Sequence, residues 1–279
     1  MKALTSLVVL ITTLIMINGL KAEQITILHI NDHHSHLKPD KRMSLMLDGK
    51  STRVQSGGMP AVVAKIKELE ATSNNVIKLH AGDAISGSLF FTLFKGKADA
   101  ALMNEICFDA FVLGNHEFNE GDKGVAKFID FLKSEKCTTS VLAANIKPEV
   151  GVSPLTPNSE TDYIQPYTIV EKGGIKVGII GIDIVRKTIM SSSPDQTTKF
   201  LDEAETSQKI VNELKKSGVK HIILLTHYGY ENELELAATI EGVDVIIGGD
   251  SHTLLGDFDK LGLNAAGPYP TIVKGVGGK

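Results

Sequence analysis

The sequence has no tryptophan and only 5% aromatic residues, so it lacks the stacking platform that single-stranded nucleic acid needs. No block of lysine and arginine occurs, and the formal net charge is −4. Both facts exclude a nucleic-acid polymer as the expected partner. With two cysteines, Cys107 and Cys137, neither a thiolate metal cluster nor a disulfide-dense small fold is available. Whether these two pair in an oxidising compartment or stay as separate buried thiols is left open by the sequence. There is no internal repeat and no low-complexity tract. The one long apolar run, residues 7–17, follows Lys2 and is shorter than the ~20 residues that cross a bilayer. It has the layout of a secretory signal, with Leu20-Lys21-Ala22 as a cleavage site before Glu23. We therefore expect residues 1–22 to be a signal peptide, an uncleaved anchor being the alternative. Its removal takes Lys2 and Lys21 with it, moving the formal charge to −6 and leaving no membrane span.

What remains is ordinary for a globular domain: 279 residues in all, 42% hydrophobic and 22% charged. Apolar runs alternate with helical patterns along most of the chain. Strands are expected at Glu23–Ile30, Val76–Leu79, Phe111–Leu113, Val141–Ala144, Thr168–Val170, Ile175–Ile182, His221–Leu225 and Val243–Ile247. Helices are expected at Ala61–Thr72, Ala98–Ile106, Gly124–Ser134, Asp202–Lys216 and Asn232–Ile240, the fourth closed by Gly218. Glu171-Lys172-Gly173-Gly174 reads as a hairpin turn. Asp40–Gln55 reads as a surface loop or small hairpin, and Lys147–Asp162, with three prolines, as an exposed excursion. Such β and α alternation implies a substantially parallel sheet, with ligands at the carboxyl ends of its strands.

Five polar clusters end apolar runs: Asn31-Asp32-His33-His34, Gly82-Asp83, Gly114-Asn115-His116-Glu117, Thr226-His227 and Gly249-Asp250-Ser251-His252. One Asp or Asn after a strand is commonly a turn residue or a cap. Here the convergence of five segments carries the argument. Asp32, His34, Asp83, Asn115, His227, Asp250 and His252 are oxygen and imidazole donors of the kind that hold Zn, Mn or similar ions. Two such ions polarise a phosphate and turn water into a nucleophile. Asp83 is the candidate bridge between them. His33 and His36 alternate with His34 and are expected not to be ligands, while His29 and His80 are expected to pack behind the site. Phe90, Phe91 and Phe94 are expected to pack a loop or helix rather than to clamp a base.

The order Asp32-x-His34, Gly82-Asp83, Gly114-Asn115-His116-Glu117, Thr226-His227 and Gly249-x-Ser251-His252 resembles the catalytic domain of the secreted 5'-nucleotidases, within the calcineurin-like metallophosphoesterases. Residues 29–35, Ala81–Ile85 and Gly249–His252 are similar to the bacterial periplasmic NAD nucleotidases. The resemblance implies an α/β fold, a four-layer αββα sandwich, over residues 23–279, without the C-terminal nucleotide-binding domain of full-length relatives. It also implies two divalent metal ions, a small nucleotide as substrate and a secreted, periplasmic location. In such a family Asp32, His34 and His252 would hold one ion, Asn115, His227 and residue 250 the other, with Asp83 shared. Asn115 and His116 would face substrate, and His116 would be catalytic at the scissile phosphate.

Two positions depart from the family. Asp250 stands where most members have His, and Asn119 stands where the family has the Asp that orients the catalytic His. The expected activity is release of phosphate from nucleoside 5'-monophosphates and cleavage of the pyrophosphate of NAD or UDP-sugars by metal-activated water. The alternatives are a cyclic nucleotide phosphodiesterase, a thiosulfohydrolase-like enzyme, or a catalytically weak metal- or nucleotide-binding pseudoenzyme in which Asn119 has disabled His116.

Overall fold

The computed structural model describes residues 24–134 and 136–276; the expected signal peptide lies outside the described residues. In chain order the elements are β1 (Thr26–Ile30), β2 (Ser44–Leu47), β3 (Lys50–Arg53), α1 (Gly58–Thr72), β4 (Val76–His80), α2 (Leu89–Phe94), α3 (Lys97–Ile106) and β5 (Ala110–Val112). A 3-10 turn over Asn115–Glu120 leads into α4 (Gly121–Leu132), β6 (Ser140–Leu142), β7 (Ile146–Lys147), β8 (Tyr167–Lys172), β9 (Ile175–Asp183), α5 (Val185–Ser191) and β10 (Lys199–Phe200). The order closes with α6 (Glu203–Lys216), β11 (His221–His227), α7 (Tyr230–Thr239) and β12 (Val245–Ile247).

Two four-stranded sheets form the centre, one in the order β1-β4-β5-β6 and the other in the order β12-β11-β9-β8. The first is parallel throughout; the second is parallel except for the β8–β9 hairpin. Their facing sides share one apolar layer that includes Ile77, Leu79, Val112, Leu142, Ile179, Ile223 and Leu225. The outer face of the first sheet is covered by α1, α3 and α4 through Ile66, Met103, Phe111 and Phe128. The outer face of the second is covered by α6 and α7 through Ile180, Val211, Leu224 and Leu236. Three apolar seams between four layers of secondary structure make the expected αββα sandwich. Burial on both faces explains why β4 and β11 read as continuous apolar runs rather than alternating ones.

The expected helices and strands are present, most with ends shifted by one to three residues, and the loop at Asp40–Gln55 contains the β2–β3 hairpin. Asp202 caps α6 by accepting from Glu205 N at 2.9 Å. Cys107 and Cys137 are joined as a disulfide, one of the two options that the sequence left open. The sequence gives no sign of α5, a short helix whose N-cap residue, Ile184, has no side chain able to cap it. The excursion at Lys147–Asp162 is less exposed than its composition implies: Leu155 is fully buried, and Ser153 Oγ donates to Asp122 Oδ2 at 2.5 Å. Asp122 is itself buried and also accepts from Thr198 Oγ1 at 2.5 Å. A buried carboxylate must find donors, and these pin the segment down. Among the described residues, no helix is long and apolar enough to cross a membrane.

Candidate metal centre

The carboxyl ends of β1, β4, β5, β11 and β12 come together at one rim, and each delivers one of the polar clusters. Asp32, His34, Asp83, Asp250 and His252 all have left-handed backbone, with φ between 44° and 78°. Asp, Asn and His tolerate this region better than other side chains. Its recurrence at five donor-bearing positions marks a site where backbone conformation is set by what the side chains must face. The approach is close enough to demand glycine: a Cβ on Gly82 (φ +87°) would lie 2.5 Å from His227 Nδ1, and one on Gly114 would strike the Asp83 carboxylate.

Asp83 is central and buried. Its Oδ1 accepts His116 N–H at 2.8 Å, while its Oδ2 lies 3.0 Å from His227 Nε2 and 3.7 Å from His34 Nε2. Asp32 accepts the Asp250 backbone N–H at 3.0 Å and lies 3.5 Å from His252 Nε2 and 3.7 Å from His34 Nε2. His227 is fully buried, and its Nδ1 bonds the Ala81 carbonyl at 2.8 Å, which turns Nε2 toward the carboxylates. Donor atoms of Asp32, His34 and His252 lie within 4.8 Å of one another, as do those of Asp32, Asp83 and His227. Asp83 and His34 make a third such group with His116. Asp250 sits at the edge, its carboxylate paired with Lys187 and 3.7 Å from His227 Nε2. Asn115 is fully buried at the same rim.

The charges shape one another. Burial works against ionisation of Asp32, but His34, His227, Asn31 and His252 overcome it and hold its pKa down at about 2. Burial also disfavours charge on His227, yet Asp83, Asp32 and Asp183 raise it to about 10. Asp83 is lowered, burial being outweighed by His227 and by the His116 N–H. His116 is half-buried and lowered, mainly by burial, with His34 and Lys187 adding to the effect.

The donor set fits divalent cations. Both ends of the buried Asn115 amide lack any hydrogen-bond partner among the described residues. Buried polar atoms are rarely left in this state, and an absent ion is one of the recognised reasons. Oxygen and imidazole donors around shared carboxylates suit Zn, Mn or a related ion rather than a thiolate metal.

His33 and His80 fall outside the cluster. His33 bonds His80 Nε2 at 2.9 Å and Asp99 at 3.2 Å, and His80 is buried edge-on against Phe108 and Phe111. Phe90 and Phe91 of α2 pack on the core, whereas Phe94, expected to pack with them, is exposed. Four contributors were not singled out by sequence. Glu117, fully buried, accepts the backbone N–H groups of Gly114 (2.7 Å), Ala84 (2.8 Å), Asp83 (3.0 Å) and Ile85 (3.3 Å), and so clamps two of the donor loops together. Its position inside the Gly114–Glu117 cluster was the available signal. Lys187, Ser192 and Ser86 surround Asp250, Asn115 and Asn119; none has a local signature, since each comes from a segment far away in the chain.

Residues 25–254 match the family described as Calcineurin-like phosphoesterase. The chain is 44% identical over 260 residues to the NAD 5'-nucleotidase of Haemophilus influenzae, which covers 92% of this chain and 41% of that protein. The solved structure of Haemophilus influenzae NAD nucleotidase superposes with a TM-score of 0.84 at 44% identity, over 91% of this chain and 43% of that one. A 5'-nucleotidase precursor from Thermus thermophilus gives 0.79 at 40% identity, over 91% and 46%. The chain thus spans less than half the length of each of these proteins. By its two-sheet sandwich, its donor-lined rim and this match over most of its length, the chain belongs to the calcineurin-like phosphoesterase family.

Proposed function

We propose that this chain carries the hydrolytic centre of a 5'-nucleotidase, releasing phosphate from nucleoside 5'-monophosphates and cleaving the pyrophosphate bond of NAD or UDP-sugars. The observation that supports this reading is the gathering of oxygen and imidazole donors from five strand ends beside a half-buried histidine. Asp32, His34 and His252 would hold one divalent ion, and Asn115, His227 and Asp250 the other, with Asp83 between them. Such ions supply Lewis acidity to a phosphoryl oxygen and make water acidic enough to attack near neutral pH.

The remaining work falls to side chains of the chain itself. Asp83 fixes the His116 backbone through its N–H, and the His116 ring stands edge-on to His34 at 5.0 Å between centroids. An imidazole in that place would face the leaving oxygen of a bound phosphate ester, where it can hold or hand over a proton. Glu117 keeps the Asp83 and Asn115 loops in register. Lys187 balances the charge of Asp250 and adds positive potential at the rim, where a phosphate would approach. Export, with residues 1–22 as the signal, places the activity outside the cytoplasm or in the periplasm.

A second reading, metal or nucleotide binding without turnover, draws on Asn119, which brings no charge to His116. Phosphate release from AMP, NMN and NAD by the purified protein, with Mn or Zn added and after chelation, separates the two. Turnover that is lost on chelation and restored by metal supports the hydrolase. A folded, metal-loaded protein without turnover on all three substrates would leave only the binding role.

A further inference from the structure

Behind His116 lies a small hydrogen-bonded group whose proton count constrains the ring. One end of the Asn119 amide is 2.8 Å from His116 Nδ1 and 3.0 Å from Ser86 Oγ; the other end is 3.2 Å from Ser192 Oγ. Ser192 Oγ is also 2.6 Å from the Asn115 carbonyl oxygen. A carbonyl only accepts, and a hydroxyl has one proton to give. At 2.6 Å the Asn115 carbonyl takes that proton, so Ser192 turns lone pairs toward Asn119 and calls for a donor. The nitrogen and oxygen of an amide are told apart by their partners, and this partner places the Asn119 NH2 at Ser192. The Asn119 oxygen then faces Ser86 and His116. Ser86 can give it a proton for which the described residues offer no other acceptor, and His116 must present Nδ1–H. In the opposite orientation Ser192 would divide a single proton between two acceptors.

We propose that Ser192 is a positioning residue: through Asn119 it holds His116 as the Nδ1–H tautomer and leaves Nε2 for the cleft shared with His34 and Asp83. The aspartate of the family would enforce the same tautomer by having no donor end. Asn119 reaches that result only while a serine 73 residues away fixes its orientation. The catalytic consequence rests on the role proposed above for His116; the tautomer itself does not.

The test is the nitrogen spectrum of His116 in protein labelled with 15N-histidine, recorded with zinc or after chelation at about pH 8, where an ordinary histidine is neutral. His116→Gln assigns the signals. The expected result is a pyrrole-type Nδ1 and a pyridine-type Nε2, and the reverse pattern would overturn the proposal. Ser192→Ala should move the population toward an even mixture, while Ser192→Thr, which keeps the hydroxyl, should not. A single Nδ1–H tautomer retained in Ser192→Ala would remove Ser192 from the device. In the Asn119→Asp background Ser192→Ala should have no effect on the tautomer, since a carboxylate has no donor end; a merely disordered loop would not be rescued in this way. No phosphate ester enters these measurements, so failure here and failure of the hydrolase reading are observed separately.

Discussion

Replacing Glu117 by glutamine keeps the shape of the clamp and removes one acceptor. Each carboxylate oxygen now serves two backbone donors: Asp83 and Gly114 on Oε2, Ala84 and Ile85 on Oε1. Glutamine offers one oxygen, so in either amide orientation two N–H groups face an NH2. Hydrogen bonds to charged acceptors contribute about 1.5–3 kcal/mol each, which makes the gross loss about 3–6 kcal/mol. Burial, and then the nearby charge of Asp83, push the Glu117 pKa up to about 8, and removing that unfavourable charge offsets part of the loss. A protonated carboxyl would aim its own hydrogen at one of the four N–H groups, so the four bonds belong to the ionised form, which prevails above about pH 8, and the comparison is made at about pH 9. The net destabilisation should then be about 2–4 kcal/mol, or roughly 4–16 °C in melting temperature for a domain of this size. Urea unfolding of the chelated protein, followed by circular dichroism at unchanged denaturant slope, measures it. A Glu117→Gln variant within about 0.5 kcal/mol of the parent would show that the carboxyl is already protonated in the fold, and would refute the clamp argument.

Asn119→Asp should raise phosphate release by roughly 5- to 30-fold, the worth of a charge on an existing hydrogen bond. A gain near 10⁴-fold, the size of a tautomer error in a catalytic triad, would mean that the native tautomer is wrong. Metal uptake at about pH 7.5 should release at least one proton, because His227 has its pKa raised from the ordinary 6.5 to about 10 and must lose its proton to bind a cation. Calorimetry in two buffers of different ionisation heat reads this, and equal heats would contradict it. For the metal-free protein, the same shift places the His227 contribution to stability in full below about pH 6.5 and removes it as pH rises through about 10. Cys107→Ser should lower stability by about 3–4 kcal/mol, since the bridge closes a loop with a sequence separation of 30. A thermal melt unchanged by the substitution, or by reductant, would count against that.

Residue pattern alone carried much of this protein. Strands buried on both faces wrote themselves as continuous apolar runs, and each ended in a polar cluster because a parallel sheet sends all its carboxyl ends to one rim. That is why Asp32, His34, Asp83, Asn115, His227, Asp250 and His252 could be named in advance as candidates for one rim. Local signals also fixed the β8–β9 turn and, through Gly218 with its positive φ, the end of α6. What only the tertiary structure decided was how those groups are held. The four N–H donors on Glu117 come from two separate loops, Asp83 to Ile85 on one and Gly114 on the other. Lys187 reaches Asp250 across 63 positions, and Ser192 reaches Asn119 across 73. The fate of Cys107 and Cys137 and the anchoring of the 147–162 segment on Asp122 belong to the same class. Periodicity and turn chemistry are recorded among near neighbours, whereas the satisfaction of a buried donor or charge depends on whichever distant segment the packed sheets bring beside it.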